Sequence, residues 1–352
     1  MPTNFTHLHL LTSYSLSCST INIDKLIKLA KKNKITTLAI TDHLNVFAAI
    51  KFYQKCIDNN IKPIIGCQIP VKYDDLGRFT PNITILCKNI DGYKSLIKLL
   101  SEIHVQKEKN KTASANISQL RKYNNGLIVL SGGRYGVIGN NLLSEDNTSK
   151  INFVKSLKKI FQDRLYVQID RGNHESEKLY NNKLLILAEE LDLPIVGTNH
   201  VLFLERSDFD AHEVRVCINK KIKIDDRGNQ KEFSDEQYFK TEKELIDLFS
   251  DIPDAIENIS EIVKKCNIHI PVGTYHLPVF NTPDKSNVDS YFDIIVEKGL
   301  EEIIKNTKDI NVAEYKDRLK YEIKVIKEMG FVSYFLIVHE FIDWAKKNSI
   351  PV

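Results

Sequence analysis

Short apolar runs that alternate with stretches of helical spacing constrain this chain more than any other feature. The runs are Phe5 to Leu10, Thr36 to Ile40, Pro63 to Ile69, Ile83 to Cys87, Leu127 to Leu130, Leu165 to Ile169 and Pro194 to Gly197. Most are followed by apolar residues three and four apart, as in Leu26, Ile27, Leu29 and Ala30, or Leu184, Leu185, Leu187, Ala188 and Leu191. Strand followed by helix, repeated, predicts a mainly parallel sheet. So many units in about 200 residues favour a closed or nearly closed β/α barrel, whose chemistry sits at the carboxyl ends of the strands. His7, His9, Asp42, His43, Gln68, Asn199 and His200 all fall at such ends.

After Gly197 the pattern turns helical. Ser207 can cap a helix through Asp210 and His212, Thr241 with Glu244 makes a capping box, and a further helix spans about 254–265. Pro271, Pro278 and Pro283 mark 268–287 as a linker between a domain at 1–267 and three amphipathic helices, 288–306, 313–329 and 332–348. The last helix carries Phe331, Tyr334, Phe335, Phe341 and Trp344, an aromatic stripe expected to lie in a core.

Composition excludes several classes. With 352 residues, 42% of them hydrophobic, the chain can bury a large core. No run reaches the roughly 20 apolar residues of a membrane span, and no signal-peptide pattern opens the chain, so a cytoplasmic protein without membrane partners is expected. The six cysteines lack CxxC spacing, which argues for free thiols. A net charge of +3, from 49 basic and 46 acidic residues, does not by itself mark a nucleic-acid binder.

Specific blocks go further. Residues 329–338, continuing through Phe341, Asp343, Trp344 and Lys346 to Ile350-Pro351-Val352, resemble the opening of the palm in alpha subunits of bacterial DNA polymerase III, the C-family replicative polymerases. The preceding part resembles that family's PHP (polymerase and histidinol phosphatase) domain through His7-Leu8-His9, Thr12-Ser13-Tyr14-Ser15, Thr41-Asp42-His43, Pro63-Ile64-Ile65-Gly66, Ser131-Gly132-Gly133-Arg134 and Asp210-Ala211-His212-Glu213. The last two of these blocks look most like proteobacterial members, and the likeness covers essentially the whole chain. The resemblance implies a PHP-type distorted (β/α)7 barrel, an α/β fold, followed by an α-helical segment that opens an incomplete palm. It also implies a full protein that extends primer-template DNA from deoxynucleoside triphosphates with Mg2+, in company with a proofreading exonuclease subunit and other replicase subunits. The palm aspartates that hold magnesium fall outside these residues, so no catalytic residue is expected here.

Active PHP domains bind a metal cluster. Carried over position by position, the resemblance keeps His9 and His43 as ligands and places Leu11, Cys18, Gln68, Asn82, Gly133, His200 and Leu202 at the other ligand positions. Loss of carboxylates at 18, 68 and 200 removes charge that would offset the cations. The expected reading is a vestigial metallohydrolase that serves as scaffold and dock for the exonuclease. The alternative is a metallo-phosphoesterase or pyrophosphatase with a residual or rebuilt site, in which Cys18 and His200 join His9 and His43 around one zinc ion. His9 and His43 can equally be hydrogen-bonded rim histidines, and His7 lies outside the ligand positions. The turn from Gly132 to Gly136 lacks a Walker ending and reads as a plain strand-to-helix turn. Lys316, Arg318, Lys320, Lys324, Lys346 and Lys347 can approach template phosphates or simply form a solvated face.

Overall fold

A computed structural model describes residues 5–16, 18–77, 79–107, 109, 111–137, 139, 148–173, 177–224, 232–273, 276–308 and 311–352. The chain divides into two compact units, Met1–Ile270 and Pro271–Val352.

The first unit is built on strands β1 (Thr37–Ile40), β2 (Lys62–Lys72), β3 (Asn82–Cys87), β4 (Ala115–Asn116), β5 (Leu127–Leu130), β6 (Leu165–Asp170) and β7 (Ile195–Thr198). Their order is β1-β2-β3-β5-β6-β7, with β4 pairing β2. The sheet is mainly parallel, as expected, in the pairs β1-β2, β2-β4, β5-β6 and β6-β7, and is made mixed by β3, which runs antiparallel to both β2 and β5. A short connection between Lys72 and Asn82 turns the chain straight back and leaves no room for a crossover helix. The expected first strand is not a regular strand. Residues 9–11 instead lie extended between the two ends of the sheet. Leu11 N donates to Val201 O at 3.1 Å, Val201 N to His9 O at 3.0 Å, and Thr41 N to Leu10 O at 2.7 Å. This segment closes the barrel between the ends of β1 and β7.

Helices α1 (Ile23–Lys32), α2 (Ala49–Ile57), α3 (Ile90–Val105), α4 (Ile117–Lys122), α5 (Thr148–Phe161), α6 (Glu177–Glu190), α7 (Phe209–Lys220), α8 (Glu242–Leu248) and α9 (Pro253–Lys265) complete the unit. α1 shows the local logic. Asn22 caps it by accepting from Asp24 N and Lys25 N, Asp24 and Lys31/Lys32 complement the helix dipole, and Ile23, Leu26, Ile27 and Ala30 bury one stripe. α8 has the expected Thr241/Glu244 box, with Thr241 N donating to Glu244 Oε2 at 2.7 Å. The capping expected of Ser207 is made by Glu205 and Asp208 instead, one short turn before α7. Glycine appears where chains touch: a Cβ on Gly92 of α3 would lie 2.0 Å from Gly126 O, just before β5.

The second unit comprises α10 (Val288–Asn306), α11 (Val312–Glu328) and α12 (Val332–Lys347). Its core is Phe292, Val332 and Leu336, with Phe280 packed against them. Ile268 and Ile270 pack inside the first unit, so the segment expected as a linker is anchored at both ends; residues 274 and 275 lie outside the described ones. The aromatic stripe does not form a core. Phe341 and Trp344 are 68% and 61% exposed, because α10 covers only the face bearing Val332 and Leu336.

Two glycine substitutions test this packing in opposite directions by urea denaturation. Gly92→Ala should destabilise the first unit by roughly 2–3 kcal/mol, since backbone must move to admit the methyl group. Gly299→Ala, on α10 with open space around it, should stabilise its helix by about 0.5–1 kcal/mol.

Candidate functional site

Strand alternation brings polar side chains to the barrel mouth. Ile64, Gly66 and Gln68 share one face of β2, and Tyr166, Gln168 and Asp170 share one face of β6. His9 comes from the closing segment and is completely buried. Its Nε2 lies 3.2 Å from Gln68 Nε2, and its Nδ1 lies 3.1 Å from Gln168 Nε2. The other end of the Gln68 amide meets His43 Nδ1 at 3.2 Å. Gln168 Nε2 also donates to Asp170 Oδ1 at 3.0 Å, and Asp170 receives Arg134 N at 3.1 Å and the Thr198 hydroxyl.

Proton counting fixes the tautomers. A neutral imidazole has one donor and one acceptor, so His9 cannot accept from both amides. Asp170 requires the nitrogen of Gln168 to face it, so that amide donates to His9 Nδ1. His9 Nε2 then carries the proton and donates to Gln68, whose oxygen and nitrogen exchange places so that its amide donates to His43. A chain of neutral groups results, His43–Gln68–His9–Gln168, ending on one carboxylate. Burial pushes the His9 pKa down to about 4, against the attraction of Asp170. Burial also lowers His43, opposed by its bond to Gln68.

The residues read from the sequence scatter in their surroundings. His200 stacks on His9 with ring centroids 4.2 Å apart and planes 15° apart. Imidazole lone pairs lie in the ring plane, so two stacked rings cannot both aim at an ion about 2.1 Å away. Cys18 sits at the edge of a small apolar cluster of Leu11, Leu202 and Phe203, where burial raises its thiol pKa and keeps it protonated. Among the described residues no three His, Cys, Asp or Glu side chains gather in a way that could hold a metal ion. The donors at this mouth therefore do not fit a metal cluster. His7 is packed between Phe5 and Phe239, donates from Nε2 to Lys240 O at 2.9 Å, and is held by burial at a pKa of about 4.

Sequence reasoning missed Gln168, Asp170 and Thr198. The apolar run from Leu165 stops at Ile169, one residue short of Asp170, and only its period-two alternation, carried one residue further, sets Gln168 and Asp170 on one face. Asp42, just beyond the end of β1, is spent on structure. It accepts from Thr12 N at 2.7 Å, Thr12 Oγ1 and Ser15 Oγ at 2.6 Å, while burial raises its pKa against those bonds.

Residues 7–172 match the PHP domain family, and residues 290–352 match the bacterial DNA polymerase III alpha NTPase domain family. The chain is 36% identical over 360 residues to the DNA polymerase III subunit alpha of Pseudomonas fluorescens, covering 100% of this chain and 31% of that protein. It is 37% identical over 354 residues to the Escherichia coli K12 subunit of the same name, covering 99% of this chain and 30% of the other. The chain thus spans about a third of the length of these relatives. Among solved structures, a putative metal-dependent phosphoesterase from Bifidobacterium adolescentis superposes with a TM-score of 0.40 at 14% identity, covering 56% of this chain and 88% of that one.

The neutral state of His9 has a measurable consequence. Between pH 6.5 and 4 the unfolded chain binds a proton at this histidine that the folded chain refuses, so stability is full above 6.5 and falls as the pH drops towards 4. The full effect is on the order of 3 kcal/mol for one histidine. Urea denaturation at pH 7 and at pH 4.5 should show His9→Gln losing less stability on acidification than the unsubstituted chain. Equal losses would show that His9 is not held neutral.

Proposed function

We propose that this chain is a member of the family of bacterial DNA polymerase III alpha subunits, the counterpart of their N-terminal third, and that the intact protein is a replicative DNA-directed DNA polymerase. The observation that carries the reading is similarity of 34–38% identity that runs the whole length of this chain through both units. In this reading the protein extends primer-template DNA from deoxynucleoside triphosphates with Mg2+ in the cytoplasm. Among the described residues no helix is long and apolar enough to cross a membrane. Two-metal nucleotidyl transfer needs carboxylates converging on one point. By the resemblance we place those carboxylates in the part of the relatives' length that this chain does not span.

For the barrel we propose a structural role, as scaffold and as dock for the proofreading exonuclease subunit. The support is the state of the site: His9 is hydrogen-bonded through both nitrogens, His200 stacks on its face, and Cys18 sits among leucines. A metallo-phosphoesterase or pyrophosphatase would need lone pairs directed at one point, and the mouth directs them at amides.

The test uses the full-length protein and residues 1–352 side by side. The full-length protein should extend a primed template with Mg2+, whereas residues 1–352 should not. Residues 1–352 should nevertheless co-elute with the exonuclease subunit in gel filtration. Extension without co-elution would remove the docking role and keep the polymerase; manganese- or zinc-dependent phosphoester hydrolysis that is lost in His9→Gln would restore the hydrolase.

A further inference from the structure

The turn after β5 is the tightest approach in the barrel mouth. Gly133 has φ +51, and a Cβ built on it would lie 1.8 Å from Asp170 Oδ2 and 3.1 Å from Gln168 Nε2. The space into which any side chain at position 133 would project is thus filled by the carboxylate that ends β6. Asp170 is 7% exposed and fully engaged. Arg134 N reaches it from the β5 turn, Gln168 from β6 and the Thr198 hydroxyl from β7, so one anion joins three neighbouring strand ends. Asn181 Nδ2 of α6 adds a bond to the Asp170 carbonyl at 3.0 Å.

We propose that Asp170 stands in the place of a ligand-bearing side chain at position 133 and, through Gln168, keeps the lone pair of His9 covered, so that the mouth is a polar plug that excludes metal ions. The inference deepens the reading of the barrel as a scaffold. Its physical content is a competition for donors. A cation reaching His9 Nδ1 would have to displace the Gln168 amide, which would leave a buried N–H without a partner. It would gain little from Asp170, whose oxygens already accept three hydrogen bonds and lie tied to backbone and strand side chains. Gly133 and Asp170 are then a matched pair. Glycine is needed at 133 because the carboxylate is there, and the carboxylate fits only because position 133 has no side chain.

A double-substitution cycle on residues 1–352 tests the pairing: Gly133→Ala, Asp170→Ala and both together, read as thermal midpoints. The left-handed backbone strains alanine at 133 in either background, so that cost cancels and the coupling remains. Gly133→Ala should lower Tm by about 4 °C or more in the native background and by about half that or less beside Asp170→Ala. Equal losses would overturn the pairing. Elemental analysis of chain purified without affinity metals, then equilibrated with zinc and desalted, gives an answer even if a variant fails to fold. Expected is well under one zinc per chain, with Tm unchanged by chelator. Stoichiometric zinc that is lost in His9→Gln would overturn the plug. Neither result touches exonuclease co-elution, on which the docking role stands or falls separately.

Discussion

A sheet whose end strands do not pair with each other must be closed by something else, and in this chain residues 9–11 do it. They hydrogen-bond to Val201 on one side and Thr41 on the other. The adjoining loop is then pinned by Asp42, which gathers the backbone N–H of Thr12 and the hydroxyls of Thr12 and Ser15. Ser15 in turn receives His43 N at 2.9 Å, so the first loop and the end of β1 are fixed to each other. A buried carboxylate is costly to desolvate, and this one is tolerable because its oxygens are met by donors fixed in the fold. The position of His9 follows from this closure. Its ring stands at the mouth because its backbone carries the hydrogen bond that shuts the barrel.

The mouth therefore has two anchoring carboxylates with parallel roles. Asp42 ties the closing segment to β1, and Asp170 ties the turn after β5 to β6 and β7. Asp42 is met by a backbone N–H and two hydroxyls, and Asp170 by a backbone N–H, a hydroxyl and the Gln168 amide. Such bonds carry direction as well as charge, so they set the relative positions of strand ends more tightly than an ion pair between flexible side chains would.

Much of the fold was legible because its signals are local. Thr241 and Glu244 are read directly as a cap, and the apolar runs at 36–40, 83–87 and 127–130 became strands within a residue of their expected ends. What was not legible depends on partners distant in sequence. The direction of β3 is set by the short return from Lys72 to Asn82, which apolar periodicity does not record. Residues 5–10 alternate like a strand, yet Leu10 makes only an isolated bridge to Val201, because the closing gap is short. The aromatic run from Phe331 to Trp344 reads as core by composition, but burial requires a neighbour on every side, and Phe341 and Trp344 lie off the face of Val332 and Leu336 that residues of α10 and α11 cover. At the site, residue type identified His9 and His43, whereas the partners that decide their chemistry, Gln168 and Asp170, lie more than 150 residues from His9 in sequence.

Those partners explain why a neutral mouth is self-consistent. A carboxylate at position 68, between two imidazoles, would favour their protonated forms or a shared cation in order to balance its charge. Gln68 has the shape of glutamate without that demand, and it offers a donor to one ring and an acceptor to the other. Gln168 instead donates from its amide nitrogen to both His9 Nδ1 and Asp170 Oδ1, so each proton along the row has one owner and one acceptor. Once the row is neutral, burial drives His9 further from protonation, which removes the remaining need for a counterion. The charge that persists, on Asp170, sits at the end of the row, where the backbone of Arg134 and the hydroxyl of Thr198 meet it. Adding one carboxylate at 68 would disturb every member of this row at once, because no proton in it can move without leaving a neighbour with two donors or none.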